Sequence, residues 1–261
     1  MSVGGERVFF FFAHQDDEYF ASPWMADELR GGNRLRCFYL TDGGDADVRD
    51  AESRRFLASL GVPQADVAFA RTGGTRIPGG RLADYSRDAL AAILADAAAY
   101  RPVRIYAPSY EGGHPDHDTA HLLAAALAVG TGTVEESWHF SLYNAFRCPK
   151  PFFNTLRQLP SSDASRRIAR SLGDRFSLAL ACWRYYPSQF TSFVGLFPGA
   201  FVERVVLARE KVVRFSLPRL ADRPHAGTLL YEIRFGWTYE RFRAATASIA
   251  EAIGLRGGNE G

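Results

Sequence analysis

Short apolar runs alternate with longer amphipathic patterns along the first half of the chain. The runs are bounded by glycine, proline or charged residues and predict strands at residues 8–12, 34–41, 66–70 and 103–107. The longer patterns between them predict helices at 18–30, 49–60 and 85–100, and a further helix follows the fourth strand. The first run, VFFFF, is apolar throughout, which is typical of a central strand covered on both faces.

This alternation continues to about residue 130 and predicts an α/β fold. We expect a Rossmann-like, mostly parallel sheet with helices on both faces, because parallel strands are joined by crossover helices. The stretch RTGGTRIPGGRL, residues 71–82, is rich in turn residues and is expected to be a flexible surface loop.

The second half of the chain has a different pattern. Residues 131–200 are rich in aromatic residues and broken by prolines, so we expect irregular structure and short helices that form a lid-like segment over the sheet's active edge. Apolar runs predict two further strands at 201–208 and 228–235. A last helix is predicted over 239–253, and the tail at 254–261 is expected to fray.

We expect these segments to form a single domain over residues 1–261, because no convincing linker divides them. It would consist of a metal-site α/β half (1–130), a lid region that shapes the substrate pocket (131–200), and closing strands and a helix (201–261).

Composition limits the class of protein. A hydrophobic content of 47% and a charged content of 23% are ordinary for a soluble globular enzyme. The net charge of +2 is too small to indicate nucleic acid or an anionic membrane as a partner. Three cysteines without CxxC spacing predict reduced thiols, and the apolar run near the N-terminus is too short for a signal peptide or a membrane span. We therefore expect a cytoplasmic protein.

Histidines and acids follow the first and the fourth predicted strands. The first strand leads into HQDDE (14–18), and the fourth leads through a short loop into HPDH (114–117). Ligands bind outside the carboxyl ends of such strands, and the first and fourth strands are commonly neighbours. We therefore expect His14 and His114 to face each other. The alternative role of the acids is to cap the helix that follows, since carboxylates stabilise helix N-termini.

The residue types in these two motifs favour a catalytic zinc site. Such a site has three protein ligands of histidine or carboxylate type and leaves a fourth position for water. His14, Asp17 and His117 supply two imidazoles and one carboxylate, which is that set. Asp16 then remains available to take a proton from the metal-bound water.

The motifs AHQDDE, TDGG and HPDH resemble those of the PIG-L/LmbE-like family of zinc-dependent N-deacetylases, whose signatures are AHPDDE and HPDH. The pair Arg49 and Glu52 before ASLGV, and YYPSQF at 185–190, resemble further family segments. The resemblance is good over residues 7–128 and patchy afterwards. It implies one zinc per chain on His14, Asp17 and His117.

The resemblance also implies roles for residues outside the ligand set. Asp16 would be the general base, and His114 would stabilise the tetrahedral oxyanion or protonate the leaving amine. Asp116 would orient a neighbouring histidine and so fix its tautomer. Arg49 would bind sugar hydroxyls or a phosphate of the substrate. Because its helix is expected to lie clear of the metal motifs, Arg49 is expected to act in binding rather than in chemistry.

Two positions depart from the family pattern. Gln15 replaces the usual proline, which predicts altered rigidity or substrate contact rather than loss of the metal. Gly112 stands where some members have a tyrosine, and Tyr110 or Tyr143 is the candidate replacement.

Other titratable residues near the motifs receive structural roles. His121 is expected to pack or to form a supporting hydrogen bond rather than to bind metal. Glu18 would cap the helix or bond the metal histidine, and His139 and His225 have no acidic pattern beside them.

The leading functional interpretation is a zinc-dependent hydrolase that removes an N-acetyl or other N-acyl group from an amino sugar or sugar conjugate. An amidase acting on a cysteinyl-sugar thiol conjugate would use the same site and stays open. A metal-dependent phosphoesterase would usually need a second metal, and a non-catalytic sugar-binding relative would be expected to have a damaged site. A dinucleotide enzyme is disfavoured because no GxGxxG follows the first strand.

The expected partner is a small N-acetylated sugar or conjugate, and the sequence does not determine the oligomeric state.

Overall fold

The computed structural model of the protein describes residues 5–255. Its strands are β1 (Arg7–Phe12), β2 (Arg34–Tyr39), β3 (Val67–Phe69), β4 (Arg104–Pro108), β5 (Ser137–Phe140), β6 (Tyr143–Asn144), β7 (Asn154–Thr155), β8 (Ser165–Arg166) and β9 (Val212–Arg214). Its α-helices are α1 (Asp17–Arg30), α2 (Ala46–Leu60), α3 (Ser86–Tyr100), α4 (Pro115–Thr131), α5 (Leu172–Tyr185), α6 (Phe190–Phe201), α7 (Leu230–Arg234), α8 (Tyr239–Ala245) and α9 (Ala247–Ala252).

The main sheet has the strand order β3-β2-β1-β4-β5-β9-β8. The first five strands of this order are parallel, and β9 and β8 join as antiparallel strands at one side. The predicted α/β fold with a mostly parallel sheet is therefore confirmed. The expected neighbours β1 and β4 pair directly, with Val8 opposite Arg104 and Phe10 opposite Tyr106.

The four phenylalanines of β1 divide the core between the two faces of the sheet. Phe9 and Phe11 lie in one cluster with residues of α3 and α4, whereas Phe10 and Phe12 lie in another with residues of α1 and α2. All four side chains are fully buried. Each stabilises the fold by about 2–3 kcal/mol relative to an exposed position. This packing fixes the end of β1, from which the site residues project.

Two predicted strands in the last third of the chain are wrong. Residues 201–208 continue α6 through a π-helical turn at Val202–Val206, and the run at 228–235 contains α7. The β-branched composition of the first run favoured a strand, but its helical course buries Arg204 and Val205 together. In the second run, the Glu232 carboxylate accepts a hydrogen bond from the Leu229 backbone N–H and so stabilises the start of a helix.

The lid-like region is more regular than expected. It contributes β5, which pairs in parallel with β4 in the main sheet, and the two helices α5 and α6. The predicted last helix is divided into α8 and α9 at Thr246. From residue 256 onward the predicted tail lies outside the described residues. No helix between residues 5 and 255 combines the length and apolar character that a membrane crossing requires.

Candidate metal centre

The two acid–histidine motifs meet at the carboxyl ends of β1 and β4, in a cavity of about 410 Å³. β1 leads into the start of α1, and β4 leads through a loop to the start of α4. The cavity is lined by six of the predicted site residues: His14, Asp16, Asp17, Arg49, His114 and His117. Asp116 is fully buried behind them. The rings of His14 and His114 lie 4.7 Å apart, so the expected juxtaposition of these residues is present.

The three proposed metal ligands present their donor atoms to one another. His14 Nδ1 lies 3.2 Å from His117 Nε2, which lies 3.1 Å from Asp17 Oδ1. Ligand atoms held at about 2 Å in a tetrahedron are about 3.3 Å from one another. Two facing imidazole nitrogens share at most one proton, whereas a cation between them satisfies both lone pairs. The residues therefore fit a zinc ion.

The two oxygens of Asp17 have different partners. Oδ2 accepts hydrogen bonds from the backbone N–H groups of Ala13 and His14, at 2.8 and 2.9 Å. Oδ1 faces His117. Although burial alone would raise the pKa of Asp17, His117 and His14 hold it well below its usual range. Asp17 is therefore an ionised, rotationally fixed carboxylate, as a metal ligand must be.

Asp116 fixes the orientation of His14. Its Oδ2 lies 2.9 Å from His14 Nε2, and its carboxylate also accepts hydrogen bonds from Gly80 N–H at 2.6 Å and Leu82 N–H at 3.0 Å. Burial acts against ionisation, but His14 and the other partners lower the pKa of Asp116 to about 2. An ionised Asp116 holds the proton of His14 on Nε2 and leaves a lone pair on Nδ1, the atom that faces His117.

In the described residues, a second group of possible ligand atoms lies within 4.8 Å of one another. These atoms belong to His14, His114 and Asp116. These atoms are already engaged. His114 Nδ1 accepts a hydrogen bond from the Asp116 backbone N–H at 3.1 Å, and both oxygens of Asp116 accept from backbone N–H groups. The set of His14, Asp17 and His117 is therefore the better cation site.

Asp16 lies on the cavity side of the turn between β1 and α1. Its backbone has a φ of 128°, which is rare for a residue with a side chain, and its N–H donates to Glu18 Oε2 at 3.0 Å. Burial raises the pKa of Asp16 to about 6, although Arg49 opposes this shift. A carboxylate with a pKa close to neutrality is suited to accept a proton.

His114 is a neutral hydrogen-bond donor beside the ligands. Its backbone is extended, as expected for a residue before proline, and it forms the N-cap of α4. Because a backbone N–H can only donate, the bond from Asp116 N–H requires an unprotonated Nδ1 and places the ring proton on Nε2. Burial holds the pKa of His114 well below its usual range.

A family model agrees with this geometry. The model described as PIG-L, GlcNAc-PI de-N-acetylase, matches residues 9–128. Over these residues, which make up slightly less than half of the chain, the sequence is similar to the PIG-L family. The match includes both acid–histidine motifs, and the class of reaction that it supports is removal of an N-acetyl group. A sequence search among curated proteins finds no match.

Solved structures share the fold at low sequence identity. The zinc-inhibited form of teicoplanin deacetylase Orf2 is 15% identical, with a TM-score of 0.57 over 80% of this chain and 99% of that one. The A40926 pseudoaglycone deacetylase Dbv21 is 16% identical, with a TM-score of 0.58 over 85% and 99%. The conserved protein TT1542 from Thermus thermophilus is 20% identical, with a TM-score of 0.51 over 77% and 85%.

Arg49, on α2, does not lie clear of the metal motifs. Its Nη2 lies 3.1 Å from Asp16 Oδ1, and its guanidinium donates to the backbone oxygens of Gln15 and Gly43. A Cβ at Gly43 would lie 2.9 Å from this guanidinium, and the glycine itself has a positive φ of 66°. The TDGG loop therefore needs glycine here for Arg49 to reach Asp16. The expectation of an arginine remote from the metal motifs is corrected by this contact.

Gln15, at the position of the family proline, is fully buried. Its amide donates to Asp50 Oδ1 at 2.6 Å and to the Thr41 backbone oxygen at 3.2 Å. Arg76 also donates to Asp50, at 2.7 Å. Gln15 is not among the residues that line the cavity. Of the two expected effects, the structure therefore favours altered rigidity over substrate contact.

Tyr143, and not Tyr110, is the tyrosine of the cavity. The Tyr143 ring lies 5.3 Å from that of His117, whereas the Tyr110 hydroxyl donates to the Asp222 backbone oxygen at 3.2 Å. Gly112 has a positive φ of 72°, and a Cβ there would lie 2.6 Å from the Leu229 side chain. At position 112, where some family members have a tyrosine, a side chain would clash with Leu229 in this protein.

The loop at 71–82 is held at the site, contrary to the expectation of a flexible surface loop. Gly79 N–H donates to Asp42 Oδ1 at 2.9 Å, and Gly80 N–H donates to Asp116. Both glycines line the cavity. The clustered glycines correctly predicted a loop, but its acidic partners are distant in sequence and gave no local signal.

Two buried acids that sequence reasoning did not single out position the loop before α4. Asp118 accepts hydrogen bonds from the backbone N–H groups of Glu111 and Gly112, at 2.9 and 3.1 Å. Glu111 accepts from Tyr143 N–H at 3.0 Å and so places that ring near His117. Both acids lie within EGGHPDHD, so their closeness to the motif was the available signal.

The remaining candidates have structural partners. His121 Nδ1 lies 2.7 Å from the Pro108 backbone oxygen, and His121 belongs to neither candidate metal group of the described residues. Glu18 accepts from the N-cap residue Asp16 and, at 2.8 Å, from the Tyr186 hydroxyl, so it caps α1. His139 Nδ1 lies 2.7 Å from Ser109 Oγ, and His225 is also largely buried.

Proposed function

We propose that this protein is a zinc-dependent hydrolase that removes an N-acetyl or other N-acyl group from an amino sugar or sugar conjugate. The observation that carries the proposal is the convergence of His14, Asp17 and His117 at distances that suit a tetrahedral cation. Beside them lies Asp16, a carboxylate whose pKa burial raises to about 6.

Zinc, when bound, acts as a Lewis acid that polarises the amide carbonyl and makes water more acidic. Asp16 accepts the proton of the water that attacks the carbonyl carbon. His114 donates its Nε2 proton in a hydrogen bond to the developing oxyanion. As the carbon–nitrogen bond breaks, protonated Asp16 returns the proton to the leaving amine. The products are the free amine and the carboxylic acid, acetic acid for an N-acetyl group, which then loses its proton to solvent.

The neutral state of His114 supports the first of its two predicted roles, stabilisation of the oxyanion. Its low pKa makes an imidazolium costly near neutral pH, so it does not store a proton for the amine. A neutral ring with its proton on Nε2 is instead a fixed donor, which is what an oxyanion requires. Asp16 is therefore the single group that accepts and returns the proton.

The cavity combines polar and apolar walls, as a sugar pocket does. Phe20, Leu196 and Phe235 form apolar surface, and Gln189 and Ser192 offer hydrogen-bonding groups from the second half of the chain. A sugar ring presents hydroxyl groups at its edges and apolar faces between them, so both kinds of wall are matched. The names of two structural neighbours describe deacetylases acting on teicoplanin and on A40926 pseudoaglycone.

The test is acetate release from a panel of N-acetylated amino sugars, sugar nucleotides and cysteinyl-sugar conjugates. We expect turnover of at least one amino-sugar substrate, its loss on chelation and its recovery with zinc at one ion per chain. Activity that persists in chelator, with no metal found by elemental analysis, would contradict the proposal. Release confined to cysteinyl conjugates would instead support the amidase alternative.

A further inference from the structure

A second cavity, of about 400 Å³, lies beside α1 and shares no lining residue with the metal centre. Its charged lining consists of four arginines and one glutamate: Arg167, Arg170, Arg175, Arg204 and Glu210. Pro23 and Trp24 of α1 border it on the apolar side. We refer to it as the arginine cavity.

Only one of these arginines is neutralised within the lining. Arg204 is fully buried, and its Nε donates to the two oxygens of Glu210 at 3.0 and 2.9 Å, while its Nη2 donates to Oε1 at 2.8 Å. This bidentate pair uses the single carboxylate of the lining. The charge of the other three arginines therefore remains unmatched by the walls of the cavity.

Arg170 and Arg175 are fixed in place without a counter-charge. Arg170 donates to the Pro23 backbone oxygen, and Arg175 donates to the Val205 backbone oxygen at 2.9 Å. The Nε atoms of both are buried and have no hydrogen-bond partner among residues 5–255. Within the same residues, neither these two arginines nor Arg167 has a carboxylate within 4.0 Å.

The surroundings of Arg170 are electrostatically unfavourable for a lone cation. Burial, followed by the like charge of Arg30, lowers the pKa of Arg170, and Asp27, Asp174 and Glu210 only partly oppose this shift. A buried charge that lacks a partner costs free energy, and a bound anion would remove that cost. Because the Nε atoms are inaccessible, the Nη atoms of Arg170 and Arg175 that do not bond to Pro23 and Val205 are the donors that such an anion would meet.

We propose that the arginine cavity binds a phosphate group, either free phosphate or the phosphate of a monoester. A phosphate dianion has the charge and the number of oxygens to meet three guanidinium groups, whereas a carboxylate has one charge and two oxygens. The volume exceeds that of the anion, and the surface of Trp24 and Ile168 would accommodate an esterified organic group. This site is independent of the hydrolase function.

Isothermal titration with inorganic phosphate and with glycerol 3-phosphate, at matched ionic strength, tests the proposal. We expect saturable one-site binding that weakens with added salt, since the attraction is electrostatic. R170Q and R175Q should each weaken binding about tenfold or more, because each removes charged hydrogen bonds. Tighter binding of the ester would identify a phosphorylated metabolite as the ligand class, and equal affinities would identify free phosphate.

Two further variants separate this site from the rest of the protein. R167Q removes an exposed guanidinium of the same cavity and should also weaken binding, even if the more buried variants fold poorly. Arg184 lies on the same helix as Arg175, outside the cavity and stacked on Tyr185. R184Q should therefore bind phosphate as the wild type does. The proposal would be overturned by an absence of phosphate binding, by equal binding of acetate, or by unchanged affinity in R167Q and in every folded cavity variant.

Discussion

The guanidinium of Arg49 lies 3.1 Å from the carboxylate of Asp16. The same guanidinium donates to the backbone oxygen of Gln15, the residue between Asp16 and the proposed metal ligand His14. Arg49 therefore contacts both the proposed base and the turn that carries it. Its charge stabilises the ionised form of Asp16 against the effect of burial. An arginine that sequence reasoning assigned to substrate binding is, by its contacts, also a positioning residue for the base.

Replacement of Arg49 by alanine should alter the pH dependence of catalysis. The pKa of Asp16 is raised to about 6 by burial and is held down by Arg49, so removal of Arg49 should raise it further. Asp16 would then stay protonated to a higher pH, and the acidic limb of the kcat/KM profile should move upward. Below about pH 6 we expect a loss on the order of tenfold. Arg55→Ala, an exposed change on the same helix, is the control. A higher KM with an unmoved profile would show that Arg49 acts in substrate binding alone.

Asp16→Asn and Asp17→Asn should separate proton transfer from metal binding. An amide at position 16 cannot accept the proton, so kcat should fall roughly 10²- to 10⁴-fold while zinc content is kept. An amide at position 17 lacks the charge that a metal ligand provides, so zinc affinity should fall first. Metal content and kcat, measured on both variants side by side, check the assignment. Near-normal turnover of Asp16→Asn, or equal loss of zinc from both, would contradict it.

His114→Ala should reduce turnover without releasing the metal. His114 Nδ1 is engaged by the Asp116 backbone, and its Nε2 proton is the proposed oxyanion donor, so kcat should fall about 10²- to 10³-fold. His117→Ala removes a proposed ligand and should lower zinc affinity, which makes it the matched comparison. Elemental analysis after dialysis, together with kcat, distinguishes the two. If His114→Ala lost zinc as readily as His117→Ala, the roles of the two histidines would be exchanged.

Gln15→Ala should destabilise the protein and leave substrate affinity unchanged. The Gln15 amide is buried and bonded to Asp50 and Thr41, and its removal leaves these partners short of a donor. We expect a fall in the free energy of unfolding of about 1–3 kcal/mol. Urea denaturation measures this fall, and KM for the best substrate of the acetate-release panel provides the control. A raised KM at unchanged stability would mean that Gln15 meets the substrate after all.

The sheet and the convergence of the two acid–histidine motifs could be predicted because their signals are local. The apolar runs identify β1 and β4, and the histidines and acids directly follow these strands or the short loop after them. Once the two strands are neighbours, their ends are adjacent, so His14 and His117 come together over a sequence separation of 103. Pro115 also forecast the extended backbone of His114, which holds this residue outside α4.

The errors arose where long-range contacts decide the structure. The run at 201–208 has the composition of a strand, yet Arg204 lies in a helical turn and donates to the backbone oxygen of Tyr19, which is distant in sequence. The direction of the Arg49 side chain depends on the close approach of Gly43, which the spacing of motifs does not reveal. Likewise, the loop at 71–82 has the composition of a mobile segment, and only its bonds to Asp42 and Asp116 hold it at the site.

The hydrogen bonds of Asp116 couple the orientation of His14 to the position of the loop at 71–82, which lines the cavity. The carboxylate that orients His14 also accepts hydrogen bonds from Gly80 and Leu82, so one wall of the proposed substrate cavity and one proposed metal ligand share a single support. A substitution that reshapes this wall should therefore also alter zinc retention, because both depend on the Asp116 side chain. Ser192 and Leu196 of α6 also line the cavity, and among the described residues their side chains have no such bond to a proposed metal ligand. Evolution of a new substrate preference should thus proceed more freely from α6 than from the loop at 71–82.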